Sequence, residues 1–229
     1  MGAPSVMALM LVRWQAGALG FGLSRLVLGQ RGLRRVRGLR FARVLGSGRE
    51  GGFGMMPGLD HQGLVAFFDD DAAAAAFLSE SAVAQAYREH AGEQLTALMR
   101  ASASRGSWGG VELAATTSAP AGQPLAALTR ASIRVRHARR FWSQSPATEA
   151  SLRQSPGCRL AVGLGEAPLL RQATFSLWDD AQAMDGYARQ GAHQRAIQGA
   201  WREGWFSESM FLRLVPLQLQ GRWHGRSYG

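Results

Sequence analysis

The sequence predicts an α+β fold built from two ferredoxin-like βαββαβ halves in tandem, of the fused dimeric α/β-barrel type. Three observations predict it. The chain repeats itself in blocks, the order of predicted elements repeats with the blocks, and a stretch rich in Pro, Gly, Ser and Thr separates the two copies. Gly38 to Gly46 matches Gly157 to Gly165, Phe68-Asp69-Asp70 matches Trp178-Asp179-Asp180, and Arg105 with Trp108 matches Arg202 with Trp205. The halves are residues 1–117 and 125–229, with 118–124 as linker.

In the first half, the apolar run from Val6 is stopped by Arg13, too short for a membrane span of about 20 residues, and Val6 to Trp14 reads as a buried strand. Leu19 to Leu33 reads as a helix and Leu39 to Leu45 as a strand. A Gly-rich loop from Gly46 to Gly58 leads to a strand at Leu64 to Phe68. Asp69-Asp70-Asp71 opens a long Ala-rich helix, as acidic residues at a helix start should, and Val111 to Thr116 is expected to close the half as a strand. In the second half the order is a strand at Leu128 to Val135, a helix at Arg139 to Gln154, strands at Cys158 to Leu164 and Ala173 to Trp178, a helix from Asp180, and a last strand from Met210 to Leu219. A sheet with helices on one face leaves its other face bare, and two such faces packed together solve each other's exposure. The interior, or the space between sheet and helix, is then the natural ligand cavity.

The net charge of +10 arises from 26 basic against 16 acidic residues, and every basic residue is Arg. The absence of Lys points to compositional bias, but the excess is concentrated: Arg25, Arg31, Arg34, Arg35, Arg37, Arg40, Arg43 and Arg49 fall in one stretch. That stretch suits anionic lipid headgroups or nucleic acid, or else is a solvated helix face and loop. The single Cys158 excludes an internal disulfide and a multi-Cys zinc site. No positive region precedes the first apolar run, so a signal peptide is not expected and the chain reads as cytoplasmic, with any bilayer contact peripheral.

The copies differ most where Val83 faces His193. In the helix from Asp180, Met184, Tyr187, Ala188 and Gly191 form one apolar stripe, and His193, Ala196, Ile197, Ala200 and Trp201 form a second about half a turn away, which implies a break at Gly191. An imidazole on an apolar stripe needs a partner. A core histidine donating to a carbonyl is the commoner outcome, and a metal ligand the other. The remaining histidines, His61, His90, His137 and His224, are scattered, with no spacing that builds a zinc or non-haem iron site. A haem (heme) needs one axial ligand, a broad apolar slot and cations for its propionates. His193 could be that ligand. Trp178, Trp201, Trp205 and Phe206 supply aromatic area, and Arg189, Arg195 and Arg202 supply charge. Cys158, opposite Leu39 of the first copy, reads as a core residue before a thiolate ligand.

These residues resemble the spheroidene monooxygenases of carotenoid biosynthesis. The resemblance rests on Ala173 to Asp180, Ala181 to Met184, Tyr187-Ala188-Arg189, Gly191-Ala192-His193, Ala196-Ile197 and Arg202 to Phe206. In the first half it rests on Arg13-Trp14, Gly38 to Phe41, Gly46 to Gly48 and Gly52-Phe53. It implies a haem-dependent oxygenase that takes electrons from a ferredoxin and converts a methylene of an acyclic carotenoid to a ketone with dioxygen. His193 is the matched iron ligand, and His193 with Trp178 are the implied catalytic residues. Trp178, Arg189, Arg202, Trp205 and Phe206 join His193 in holding the haem. Phe68 stands where the family pattern suggests a tryptophan, and Ala72 to Ala76 is unusually small, so cavity length is open. A carrier of haem or carotenoid on the same scaffold is the alternative. An RNA-binding module is disfavoured because the aromatic pattern of such sheets is missing, and no nucleic-acid partner is expected.

Overall fold

The computed structural model describes residues 3–54, 56–167, 169–189, 194, 198–200 and 202–229. Its first strand, β1 (Val6–Trp14), is apolar along nearly its whole length because both faces are covered. Met7, Leu9 and Leu11 point to one core and Val6, Ala8, Met10 and Val12 to another, the period of two that a strand imposes. Then follow α1 (Leu19–Leu33), β2 (Leu39–Gly48), β3 (Pro57–Phe68), α2 (Asp71–Glu80), α3 (Ala82–His90) and β4 (Ala91–Gly106). The second half contains β5 (Leu125–Ile133), α4 (Ala138–Arg153), β6 (Cys158–Ala167), β7 (Arg171–Trp178), α5 (Ala181–Ala188) and β8 (Phe206–Trp223). A short β9 (Arg226–Tyr228) folds back on β8.

The strands form one antiparallel sheet in the order β4-β1-β3-β2-β6-β7-β5-β8, and β4 also pairs with β8, so eight strands close into a barrel with helices outside. The two seams between the halves are unequal. β4 and β8 run together from Leu95 opposite Gly221 to Gly106 opposite Met210, whereas β2 and β6 meet only at Gly46–Gly165 and Ser47–Leu164. The barrel interior is filled by side chains such as Leu9, Phe67, Trp108, Phe175, Leu212 and Trp223. Of the two expected places for a cavity, the interior is therefore packed.

The local devices that start each second helix are duplicated. Asp70 Oδ1 accepts from the Ala73 N–H, and Asp180 Oδ1 from the Ala183 N–H, each at 2.8 Å. Arg40 pairs with Asp69 at 2.8 Å and Arg159 with Asp179 at 2.5 Å. Gly157 turns the chain into β6 at φ 78°, and a Cβ there would stand 2.6 Å from that of Ala183. Gly157→Ala is therefore expected to lower stability by about 2 kcal/mol, from left-handed backbone plus overpacking, read as a lower denaturation midpoint.

Three expectations need correction. The long Ala-rich helix breaks at Ser81, whose hydroxyl accepts from the Ala84 N–H at 3.0 Å and starts α3. The strand closing the first half is β4, not Val111 to Thr116, of which Val111 makes only an isolated bridge to Trp108. Leu95, Ala97, Met99 and Ala101 alternate into the barrel, but residues this small beside an Ala-rich helix hide the period of two. Finally, Arg105 ends β4 and Trp108 follows it, whereas Arg202 and Trp205 precede β8, so that sequence match is not a structural equivalence. Among the described residues no helix is long and apolar enough to cross a membrane.

Candidate active site

A cavity of about 350 Å³ lies between the outer face of the second half's sheet and its helices, within the range of small-molecule and cofactor sites. Its floor comes from the outward residues of β5 and β7, and α4 and α5 contribute Phe141, Trp142, Leu152, Met184 and Tyr187. The reason for the space is visible in the register of the two copies. In the first half Val6 faces Phe68 and Met10 faces Leu64; in the second Leu125 faces Trp178 and Thr129 faces Thr174. Thr129, Ala131, Thr174 and Ser176 thus occupy the places of Met10, Val12, Leu64 and Ala66. The first half fills its sheet-to-helix layer with Met10, Val12 and Leu64, and the second has Thr129, Ala131 and Thr174 there, while Ser176 in place of Ala66 adds only a hydroxyl.

The first half also reaches into the cavity. Phe53, in the segment after β2, lies against Gly163 of β6, where a Cβ would fall 2.6 Å from the Phe53 ring and 2.5 Å from the Gly52 carbonyl oxygen. Ser145 of α4 donates to the Phe53 carbonyl at 3.1 Å and Ser47 to the Gly163 carbonyl at 2.5 Å, so the segment is anchored on both sides.

Of the residues singled out from sequence, Trp178, Trp205 and Phe206 line the cavity. Trp178 is buried, donates from Nε1 to Ser176 Oγ at 2.9 Å, and lies with its ring 5.4 Å from that of Tyr187. Burial pushes the Tyr187 hydroxyl well above its ordinary range, so it stays a neutral donor. Trp205 is buried and donates to Glu203 at 3.0 Å; that bond, with Arg140 and Arg202 nearby, holds the Glu203 carboxyl below its ordinary value. Arg189 and Arg202 do not line the cavity. Both are exposed, and Arg189 turns to Asp185 one helical turn back at 3.5 Å. Charge at the lining comes instead from Arg105, Arg130 and Arg213, the last pairing with Asp185 to tie β8 to α5.

His193, Arg195 and Trp201 lie outside the described residues, as does the expected break at Gly191; α5 ends at Ala188. Cys158 is absent from the lining and packs in the helix-side core, where burial pushes its thiol up to about 11, a state with little thiolate at neutral pH. The histidines scattered in sequence are not all scattered in space: the rings of His61 and His224 stack at 5.8 Å. Among the described residues no group of three or more His, Cys, Asp or Glu could hold a metal ion.

The lining fits a haem in its apolar and aromatic wall and in its cations. Arg130, almost fully buried, keeps its Nε without a partner among the described residues. The described lining includes no His or Cys, and His193 falls in sequence between Ala188 and Ala200, both of which line the cavity.

No family model matches the chain. The solved structures it resembles include an aldoxime dehydratase, at 13% identity and a TM-score of 0.63 over 92% of this chain and 81% of that one. A second aldoxime dehydratase, in complex with butyraldoxime, gives 9% identity and a TM-score of 0.60 over 92% and 79%. At such identities the likeness concerns the fold alone. Among curated relatives, spheroidene monooxygenase of Rubrivivax gelatinosus is 50% identical over 98% of this chain and 87% of its own length. That of Rhodobacter capsulatus is 33% identical over 96% and 94%. Identity this high, sustained from one end of the chain to the other, makes it a monooxygenase belonging to the spheroidene monooxygenase family.

Proposed function

We propose that the chain is a haem-dependent monooxygenase that converts a methylene of an acyclic, spheroidene-like carotenoid to a ketone, with dioxygen and electrons from a ferredoxin. The observation that carries the reading is the cavity in the second half, at positions where the first half has Met10, Val12 and Leu64. In the same reading the halves are two ferredoxin-like units of the dimeric α/β-barrel type fused in one chain, and the Arg-rich segment meets an anionic membrane.

His193 would ligate the iron, Trp178 and Trp205 would flank the ring, and Arg105 and Arg213 suit its propionates better than Arg189 and Arg202. The haem, when bound, supplies the activation of dioxygen. The chain's own residues do the rest. Phe141, Trp142, Phe206 and Phe211 form an apolar wall that accepts a polyene end and excludes water. Tyr187 and Ser176 are neutral hydroxyls in the wall that can steady a polar product without presenting a charge.

Product analysis in cells that make an acyclic carotenoid tests the reading, with a ketone expected on expression of this chain and its absence counting against turnover. A second test restores the first copy's filling. Thr129→Met with Thr174→Leu rebuilds the Met10–Leu64 pair, so the protein is expected to stay folded while turnover falls about tenfold or more as the substrate is displaced.

A further inference from the structure

We propose that the outward face of α1 is a docking surface for an anionic lipid bilayer, with Leu23 and Val27 entering the headgroup layer inside a ring of arginines. This deepens the membrane contact read from the Arg-rich segment and rests on that reading, not on the haem chemistry.

The middle of α1 is inverted relative to an ordinary surface helix, which turns its large apolar residues inward. α1 turns glycines inward instead. A Cβ at Gly22 would fall 2.4 Å from the Trp14 Nε1, and one at Gly29 would fall 2.8 Å from Val44, so the helix lies close against β1 and β2. Leu19, Phe21 and Leu33 at its ends pack on the core, but the apolar side chains between them are left outside: Val27 is 79% exposed, Leu23 45%, and Leu26 and Leu28 each 40%. Leu23 and Val27 are one turn apart on one face, and Arg31 continues that face.

The charge of this stretch of chain is one-sided. Arg31, Arg34, Arg35 and Arg37 are exposed and make no ion pair among the described residues. No Asp or Glu precedes Glu50 in the chain. An apolar centre with an unpaired cationic rim is the pattern of a helix lying in the plane of a membrane interface. A nucleic acid would use the rim and gain nothing from Leu23 and Val27.

The position favours delivery of an apolar substrate. Leu26 sits at the β2–β6 seam, 4.0 Å from where a Gly46 Cβ would be, with the Gly165 carbonyl oxygen 3.9 Å from the same point. Beyond that seam the turn between β6 and β7 exposes Leu169, whose carbonyl accepts from Nε1 of Trp142, a cavity-lining residue, at 2.9 Å.

The test is co-sedimentation of the full chain with vesicles of phosphatidylcholine alone or mixed with phosphatidylglycerol. Binding to the mixed vesicles is expected. Leu23→Asp with Val27→Asp, and separately Arg31→Glu with Arg34→Glu, should each weaken it about tenfold or more. The uncharged Val27→Ser, which disturbs folding least, should shift binding the same way by a smaller factor. Failure of the wild-type chain to sediment, equal binding to both vesicles, or binding that survives the apolar substitutions would overturn the proposal; the last would mark attachment to any polyanion, nucleic acid included. Turnover of detergent-dispersed carotenoid is expected to be unchanged in these variants. A wild-type chain that turns over carotenoid without docking removes this surface alone, and a wild-type chain that docks without turnover removes the oxygenase reading alone.

Discussion

Purified protein reconstituted with haemin is expected to show a Soret band that His193→Ala shifts or abolishes, with turnover falling by more than about a hundredfold. Loss even of an outer partner of a metal ligand costs about 10- to 100-fold, and loss of the ligand itself should cost more. The expectation follows from position. His193 falls between Ala188 and Ala200, which both line the cavity, while the described lining offers no other imidazole or thiol. Cys158 is kept as a thiol by burial and is not at the wall, so it is a poor substitute. Absorption spectra of the two proteins decide the matter. If His193 is instead a core histidine donating to a carbonyl, the variant loses stability and keeps its spectrum, which would remove the residue as ligand and leave family membership intact.

Arg130→Met should destabilise the fold by about 3 kcal/mol, because it leaves Glu208 without its cation, whereas Glu166 keeps Arg43 at 3.8 Å and Arg171 at 3.7 Å. Arg130 is 5% exposed; its guanidinium holds Glu208 at 2.5 Å and Glu166 at 3.9 Å and lies 5.7 Å from the centre of the Trp108 ring. Glu208 also accepts from the Gly110 N–H and from Ser107, each at 3.1 Å, and Glu166 accepts from the Trp108 indole. Burial pushes the Glu208 carboxyl up, but the bonds from Gly110, Arg130 and Ser107 outweigh it and hold the carboxyl below its ordinary 4.5. A folded-state value below the unfolded one gives stability that is complete above about 4.5 and is lost as pH falls through the lowered value. Urea denaturation should therefore show the wild-type chain losing stability at acid pH. The variant should be weaker at neutral pH and flatter in acid, and equal acid slopes would assign the loss elsewhere.

Much of the architecture was legible because each signal was local. The caps at Asp70 and Asp180, the turns at Gly38 and Gly157, and the apolar run of β1 depend on neighbours a few residues away. β4 was not, since its inward Ala97 and Ala101 resemble the helix before it until strand pairing supplies the partner. The site divides in the same way. Trp178, Trp205 and Phe206 belong to segments whose apolar character marks them. Arg189 and Arg202 have the charge a propionate needs, yet the side of an element on which a cation emerges is set by packing, and Arg130 and Arg213 hold the inner positions. Phe53 comes from the other half and could not be inferred without knowing that β2 and β6 are neighbours. The trimmed floor was present in the sequence. Met10 aligns with Thr129 and Leu64 with Thr174, a loss of apolar volume that is visible once the strands are set side by side.

A ring sewn with a long row of stitches on one side and two on the other parts on the short side first. Amide protons at Gly46 and Ser47 should accordingly exchange with deuterium well before those along Leu95 to Gly106, and a mechanical pull on the two halves should tear the Gly46–Gly165 junction while the opposite margin holds as a hinge. Because Ser145 holds the Phe53 carbonyl and Ser47 the Gly163 carbonyl across that junction, the same breathing would loosen the Phe53 ring from Gly163, coupling the weakest line of the barrel to one wall of its pocket.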